Sequence, residues 1–237
     1  MVSVQNMWKC SVASLIVGAT MLTPVALASP QDNGKREDGQ GKYSQLTAQW
    51  WQWILEQPAT GNPNLDSTGQ DAANDQPRED VFLLAGTFGD PVVRQFTVPA
   101  GEALFLPLLN TVAFSVPTPP GPKPKESQNQ VPQLRTLLAA PSIDSVSELH
   151  VTLDDGSGPV SLLAFVSRIK SPVFRFTLPD EDNIFQAFGV DITGTFKGVS
   201  DGYWLFIPPL PPGVYTLDFG GTSDDLTVDV SDLITVS

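Results

Sequence analysis

The spacing of apolar residues predicts a single helix near the start of the chain, followed by strands. From Tyr43 to Gln57 the apolar and polar positions separate onto opposite faces of an α-helix. The helix ends before Pro58, because the residue before a proline avoids the α region. The apolar face carries Leu46, Trp50, Trp53 and Ile54, and the polar face carries Gln45, Gln49, Gln52 and Glu56.

After residue 80 the chain consists of short apolar runs bounded by glycine and proline. The runs 81–88 and 92–98 flank a glycine- and proline-containing turn, which predicts a hairpin. The run 103–116 contains Pro107, so it predicts two strands or one kinked strand. The proline-rich segment 117–126 cannot enter a sheet and predicts an exposed, extended loop.

The second half of the chain shows clearer alternation, as in 214–219, where every second residue is apolar. A short helical turn is predicted over 131–140, and it marks the boundary between a half with the helix, 43–140, and a half of strands, 141–237. Strands at this spacing are typical of an antiparallel β-sandwich. The strands are predicted at 149–153, 161–169, 173–178, 203–207, 214–219 and 226–236.

The first 28 residues have the three parts of an export signal. A polar start ends at Lys9, an apolar stretch follows, and Ala26-Leu27-Ala28 provides a small-x-small cleavage site. A retained membrane anchor is the alternative, but Pro24 breaks the apolar helix just before that site. We therefore expect cleavage after residue 28, a disordered polar leader over 29–42, and a mature protein in the periplasm or outside the cell.

Charge and composition narrow the possible partners. The chain has 13 basic and 26 acidic residues, a formal net charge of −13. This charge argues against nucleic acid, whose phosphates require a surplus of Lys and Arg, and against adsorption to anionic membranes. The only cysteine, Cys10, leaves with the signal, and the only histidine is His150. Most zinc sites and cysteine nucleophiles are thereby disfavoured, and we expect no metal and no cofactor.

Two patterns suggest chemistry but fit it poorly. Residues 198–202 match G-x-S-x-G, yet a nucleophile elbow needs a helix after the serine, and an apolar strand-like run follows here. Acidic pairs and triplets at 154–155, 180–182 and 224–225 offer oxygen ligands for calcium. Each lies beside a predicted turn, where aspartate is common, so we interpret them as solvated turn residues.

The chain carries several distinctive motifs, namely Trp50-Trp51-x-Trp53, Asn62-Pro63 with Asp66 and Thr68-Gly69, the run 82–89, Leu106-Pro107 with Asn110, and 200–204. Together they resemble the motifs of a family of uncharacterised secreted bacterial proteins. The resemblance extends over most of the mature chain and implies export and a β-rich fold, without an established activity. A separate resemblance, of 211–217 to the start of the F strand in immunoglobulin-like domains, implies an immunoglobulin-like C-terminal half in which Tyr215 braces a corner.

These motifs and the aromatic residues supply the candidate site. Trp51 lies beside the apolar face of the helix, and alternation directs one of Tyr203 and Trp204 outward, so we expect an exposed stacking platform. The main hypothesis is a non-catalytic binding or structural module for an extracellular glycan or protein. The alternative is a carboxylate-dependent polysaccharide hydrolase or lyase. The candidate ligand-binding residues are Trp51, Asn62, Asp66, Asn110, Asp201, Tyr203 and Trp204.

Overall fold

The computed structural model describes residues 37–114 and 133–237. The predicted signal peptide, the first part of the leader and the proline-rich loop lie outside the described residues. Helix α1 spans Glu37–Glu56 and so begins six residues before the predicted start at Tyr43. The apolar face of 43–56 anchors the helix against the sheet. Because the polar residues 37–42 contain no proline, the helix extends through them toward the N-terminus.

In the described residues, ten strands and two further short helices follow α1. The strands are β1 (Val81–Leu83), β2 (Val92–Val98), β3 (Ala103–Phe114), β4 (Glu148–Asp154), β5 (Val160–Ser161), β6 (Ser167–Lys170), β7 (Phe174–Leu178), β8 (Gly194–Ile207), β9 (Gly213–Thr222) and β10 (Thr227–Val236). The helices are α2 (Ala140–Asp144), which continues a π-helical turn at Arg135–Ala139, and α3 (Ile184–Ala187). Within the described residues, the helical turn predicted over 131–140 corresponds to 135–140, and helical structure continues to Asp144.

The strands form two sheets, which confirms the predicted mainly β sandwich with one tryptophan-rich N-terminal helix. The first sheet has the order β1-β3-β8-β6, and β7 also pairs with β8. The second sheet has the order β2-β10-β9-β4-β5. All pairings are antiparallel except β1 with β3 and β2 with β10. Each sheet takes strands from both halves of the chain, so the two halves do not form separate sheets.

The first sheet is the middle of three layers. On one face its side chains pack against α1, as Phe105 and Trp204 do beside the helix residue Trp50. On the other face, side chains such as Leu104 and Leu205 pack against the second sheet. The alternation along a strand therefore sends side chains into two different cores, and both faces of β3 and β8 are largely buried.

The hairpin predicted from 81–98 is wrong, because β1 and β2 belong to different sheets. The chain leaves the first sheet after Leu83 and crosses to the edge of the second. The buried side chain of Arg94 occupies this crossing and donates hydrogen bonds to the carbonyl oxygens of Ala85 and Gly86. These carbonyl groups are thus paired without a hairpin ladder.

The polar face of α1 lies against strand backbone. Gln52 Nε2 donates to the carbonyl oxygen of Arg175 at 2.7 Å, and the backbone N–H of Thr177 donates to Glu56 Oε1 at 3.0 Å. Both backbone partners belong to β7, which pairs with β8. The helix thus covers backbone groups of an edge strand that would otherwise be open to another chain.

Four local features add to the secondary structure expected from the sequence. The predicted strand 161–169 is interrupted by a 3-10 turn at Leu163–Phe165. Strand β8 begins at Gly194, well before the predicted 203. Helix α3 was not predicted, and its cap is Asn183, whose side chain accepts from Phe185 and Gln186 N–H. Tyr215 donates its hydroxyl hydrogen bond to the Pro211 carbonyl oxygen at 2.9 Å, as the resemblance to a tyrosine corner implied.

Within residues 37–114 and 133–237, none of the helices is both long and apolar enough to cross a membrane.

Candidate binding site

A β-bulge in β3 shapes the candidate site. Pro107 lies opposite Trp204, but Leu109 lies opposite Tyr203, so one extra residue enters β3 between these pairs. The extra residue reverses the alternation after the bulge. Asn110 consequently lies opposite Gly202 and on the same face as Trp204, the face that α1 covers. Without the bulge, Asn110 would face the second sheet with Leu104 and Leu106.

Beside the bulge lies a small pocket with a volume of about 30 Å³. Because roughly 10–15 Å³ holds one water molecule, the pocket has room for about two atoms of that size. Among the described residues, its lining includes no acidic, basic or histidine side chain. The lining residues are Trp51, Asn64, Gly86, Thr87, Phe88, Pro107, Leu108, Leu109, Asn110, Thr111, Leu226 and Val228.

Three polar side-chain atoms of the pocket residues are buried without a hydrogen-bond partner among the described residues. They are the donors Trp51 Nε1 and Asn110 Nδ2 and the acceptor Asn64 Oδ1. Trp51 and Asn64 are each only 5% exposed. An unsatisfied buried polar group costs about 1–3 kcal/mol, so three such groups on the residues of one pocket favour a polar occupant there.

Asn62 fixes the position of Asn64. The Asn62 side chain donates to the carbonyl oxygen of Ile54 in α1 at 2.8 Å and accepts from the backbone N–H of Asn64 at 3.0 Å. The loop after α1 is therefore tied to the helix that also carries Trp51. This buried asparagine thus links two walls of the pocket.

Arg94 fixes the part of the pocket wall formed by Gly86. Its guanidinium is 3% exposed and donates to the carbonyl oxygens of Asp66, Ala85 and Gly86. Burial acts to lower the pKa of Arg94, and the carboxylates of Asp232 and Asp66 oppose this effect. Arg94 thus joins the turn at Asp66, the pocket residue Gly86 and strand β2.

Asp232 is the buried acid closest to this arginine. Its Oδ1 lies 4.0 Å from Arg94 Nη1, and neither carboxylate oxygen has a hydrogen-bond partner among the described residues. Burial raises the pKa of Asp232 to about 7, against the lowering effect of the Arg94 charge. The charges of Asp218 and Asp66 also raise it.

Of the seven sequence-predicted residues, only Trp51 and Asn110 line the pocket. Asn62 does not line the pocket but holds the backbone of Asn64, which does. Asp66 closes a turn, where its carboxylate accepts the backbone N–H groups of Thr68, Gly69 and Asp71. Partial burial acts to raise the pKa of Asp66, but these hydrogen bonds outweigh it and hold the pKa below its usual value.

The three predicted residues on β8 do not reach the pocket. Trp204 is buried in the core, stacked on Phe105 with ring centroids 5.1 Å apart. Tyr203 is half-buried on the other face of β8. Asp201 is fully buried in a bidentate ion pair with Arg168, whose pKa is raised by this hydrogen bond. The seven residues therefore do not converge on one site.

The prediction of an exposed aromatic platform is corrected by these positions. Trp51 is 5% exposed and Trp204 is 1% exposed. Trp204 is enclosed because β8 lies between α1 and the second sheet, so neither face of the strand meets solvent at that point. The Trp51 ring lies edge-on to that of Trp50, with ring centroids 5.0 Å apart. It lines the pocket beside the bulge.

The other candidate chemistries fall within structural elements. Residues 198–202 lie wholly inside β8, so no helix follows the serine, and Ser200 is fully buried. Asp154 and Asp155 accept backbone N–H groups of their own turn, as predicted for turn acids. In the described parts of the chain, no three His, Cys, Asp or Glu side chains come together as metal ligands.

Sequence reasoning missed the pocket residues Asn64, Gly86 and Phe88. Asn64 follows the Asn62-Pro63 motif directly, and the other two belong to the run 82–89 that supported the family resemblance. The motifs thus marked the right segments. The pattern of apolar residues carries no sign of an unpaired polar atom, however, because pairing depends on neighbours that are distant in sequence.

No protein-family model, curated protein or solved structure matches this chain. The geometry of the pocket is therefore the basis on which a function is proposed.

Proposed function

We propose that this chain is an exported, non-catalytic binding protein whose pocket engages a neutral glycan. The observation that carries the proposal is the set of unpaired atoms Trp51 Nε1, Asn64 Oδ1 and Asn110 Nδ2 at one small opening. Groups of this kind, placed beside aromatic rings, are suited to a neutral, hydroxyl-rich ligand. Trp51 and Phe88 provide the rings here.

The character of the lining favours a neutral ligand over a charged one. None of the described lining residues carries a charge, so an ionic group would lose its water without gaining a counter-ion. The pocket is also too small for most protein side chains, which favours a glycan over a protein as the ligand. The acidic surface of the mature protein and the predicted export signal are consistent with a glycan partner outside the cytoplasm.

A binding function is favoured over the alternative function as a carboxylate-dependent polysaccharide hydrolase or lyase. The acids among the candidate site residues are Asp66 and Asp201, and each of them is held in local structure. Asp66 closes its own turn, and Asp201 is paired with Arg168 in the interior. Neither lines the pocket.

A pair of glycine variants tests the proposal. A Cβ added at Gly86 would stand 3.7 Å from Asn64 Oδ1 and from Pro107 Cγ, at ordinary contact distances, so Gly86→Ala folds and fills the pocket. A Cβ added at Gly41 has no neighbour within 4 Å, so Gly41→Ala is the matched control. The mature protein and both variants are screened on an array of bacterial and plant glycans.

We expect glycan binding by the mature protein and by Gly41→Ala, and at least a tenfold loss in Gly86→Ala at an unchanged melting temperature. Equal binding by Gly86→Ala would show that the glycan binds outside this pocket, which would contradict the proposal. Failure of the folded mature protein to bind any glycan on the array would contradict it as well.

A further inference from the structure

We infer that the pocket receives one hydroxymethyl group of the ligand, an inference that rests on the proposed function. The three unpaired atoms comprise two N–H donors, from Trp51 and Asn110, and one carbonyl acceptor, from Asn64. A hydroxyl group has the complementary set, one O–H donor and two acceptor lone pairs. The hydrogen-bonding capacity of one hydroxyl group thus matches that of the three protein atoms together.

Other polar groups match this set less well. A carboxylate only accepts, so one of its oxygens would face Asn64 Oδ1 without a proton between them. An ammonium only donates, so it would face the N–H groups of Trp51 and Asn110. Water has two donors and two acceptors, which leaves one of its O–H groups against the apolar part of the lining. The hydroxyl is the group whose hydrogen-bonding capacity is fully used.

The volume of the pocket indicates that the bound group also includes the carbon atom that bears the hydroxyl. A space of about 30 Å³ holds about two water-sized groups, which corresponds to one oxygen and the carbon that bears it. The remaining atoms of the ligand stay at the mouth. Phe88 is half-buried there, with its ring centroid 5.4 Å from that of Phe188. The ligand class is therefore a neutral sugar or polyol that presents a primary hydroxyl group.

The bulge in β3 is what makes this arrangement possible. It turns Asn110 toward the helix side of the first sheet, where Trp51 lies, and it places Pro107 and Leu109 in the pocket wall. Asn62 and Arg94 hold the two remaining walls through buried hydrogen bonds. The three polar atoms are thus preorganised, so binding does not have to order them.

The test uses pairs of sugars that differ only at the hydroxymethyl group. Methyl glucosides, galactosides and mannosides of both anomers are titrated into the 15N-labelled mature protein, beside their 6-deoxy and uronate counterparts. The observed signals are the indole N–H of Trp51, assigned by its loss in Trp51→Phe, and the side-chain NH₂ of Asn110. Gly86→Ala is the blocked control, and Gly41→Ala is the open one.

At least one hydroxymethyl sugar is expected to shift both signals saturably, with at least tenfold weaker binding of its 6-deoxy and uronate counterparts. Gly86→Ala abolishes the shifts, and Gly41→Ala retains them. Equal binding of a sugar and its 6-deoxy counterpart would overturn the hydroxymethyl inference and leave the proposed glycan function standing. If no sugar moves either signal while the array shows binding, the inference is likewise wrong. If the array is also negative, the proposed function fails with it.

Discussion

Asn110 and Gly202 lie directly opposite each other in β3 and β8, with no space between them for a side chain at residue 202. A Cβ added at Gly202 would stand 2.6 Å from the Cβ of Asn110 and 2.8 Å from its Cα. Real Cβ atoms do not approach so closely, so the strands must separate to admit any side chain. The absence of a side chain at residue 202 is thus a condition for the position of Asn110 beside Trp51.

We predict that Gly202→Ala destabilises the protein and displaces Asn110. Overpacking of a core of this kind typically costs about 1–3 kcal/mol. The free energy of unfolding is measured by urea denaturation, with Gly41→Ala as the control. Gly41→Ala adds the same methyl group at an exposed helical position and should raise stability by about 1 kcal/mol. Wild-type stability in Gly202→Ala would show that the strands separate freely and that the contact does not fix Asn110.

The buried pair of Arg94 and Asp232 predicts a stability that depends on pH. The pKa of Asp232 is about 7 in the folded protein, whereas an aspartate in an unfolded chain has a pKa of about 3.9. The folded state therefore binds more protons between these values. It follows that the contribution of Asp232 to stability is fully present below about pH 4 and is lost as the pH rises through 7.

Asp232→Asn should remove this dependence, because the amide resembles the protonated acid and does not titrate. Urea denaturation at half-unit steps from pH 4.5 to 8.5 measures the effect, which amounts to about 1.4 kcal/mol for each pKa unit between the two states. Asp90→Asn removes the same charge at an exposed turn and serves as the control. Parallel curves for the wild type and Asp232→Asn would show that Asp232 is charged throughout.

The sequence predicted those parts of the fold that depend on local periodicity. The apolar stripe of α1 and the alternation in β4, β9 and β10 are visible because each side chain's burial repeats along its own element. Strand pairing is not local in this way. The runs that became β1 and β2 looked like a hairpin because they are neighbours in sequence, yet Arg94 and the crossing between the sheets separate them.

The site was predicted only in part for a related reason. Alternation indicates that Tyr203 and Trp204 point to opposite faces, but it does not reveal that both faces of β8 are covered. The prediction of exposure failed there because the first sheet lies between a helix and another sheet. The bulge that turns Asn110 toward Trp51 adds a single residue to β3, and the sequence signals it only through Pro107.

The hydrogen bond of Tyr215 should stabilise the corner before β9. Its hydroxyl lies 2.9 Å from the Pro211 carbonyl oxygen, while the ring packs in the core between the sheets. Tyr215→Phe keeps the ring and removes the bond, so we expect a loss of about 1 kcal/mol by urea denaturation. Tyr203→Phe removes the hydroxyl of a half-buried tyrosine on β8 and is the matched control. Equal losses in both variants would assign the effect to hydroxyl removal in general.

Trp204 provides the clearest separation of structural and binding roles. Its ring stacks on Phe105 at 5.1 Å and meets Trp50 edge-on at 5.6 Å, with 1% of the residue exposed. Trp204→Ala should therefore lower the free energy of unfolding by about 3–5 kcal/mol, the usual cost of emptying such a site. Trp204→Phe retains one aromatic ring and should cost less. Glycan affinity, measured on the folded fraction at low temperature, should change less than threefold in Trp204→Phe. Gly86→Ala, by contrast, should lose glycan affinity while its free energy of unfolding stays unchanged. A stable Trp204→Phe variant with abolished binding would place Trp204 in the binding site and contradict its assignment to the core.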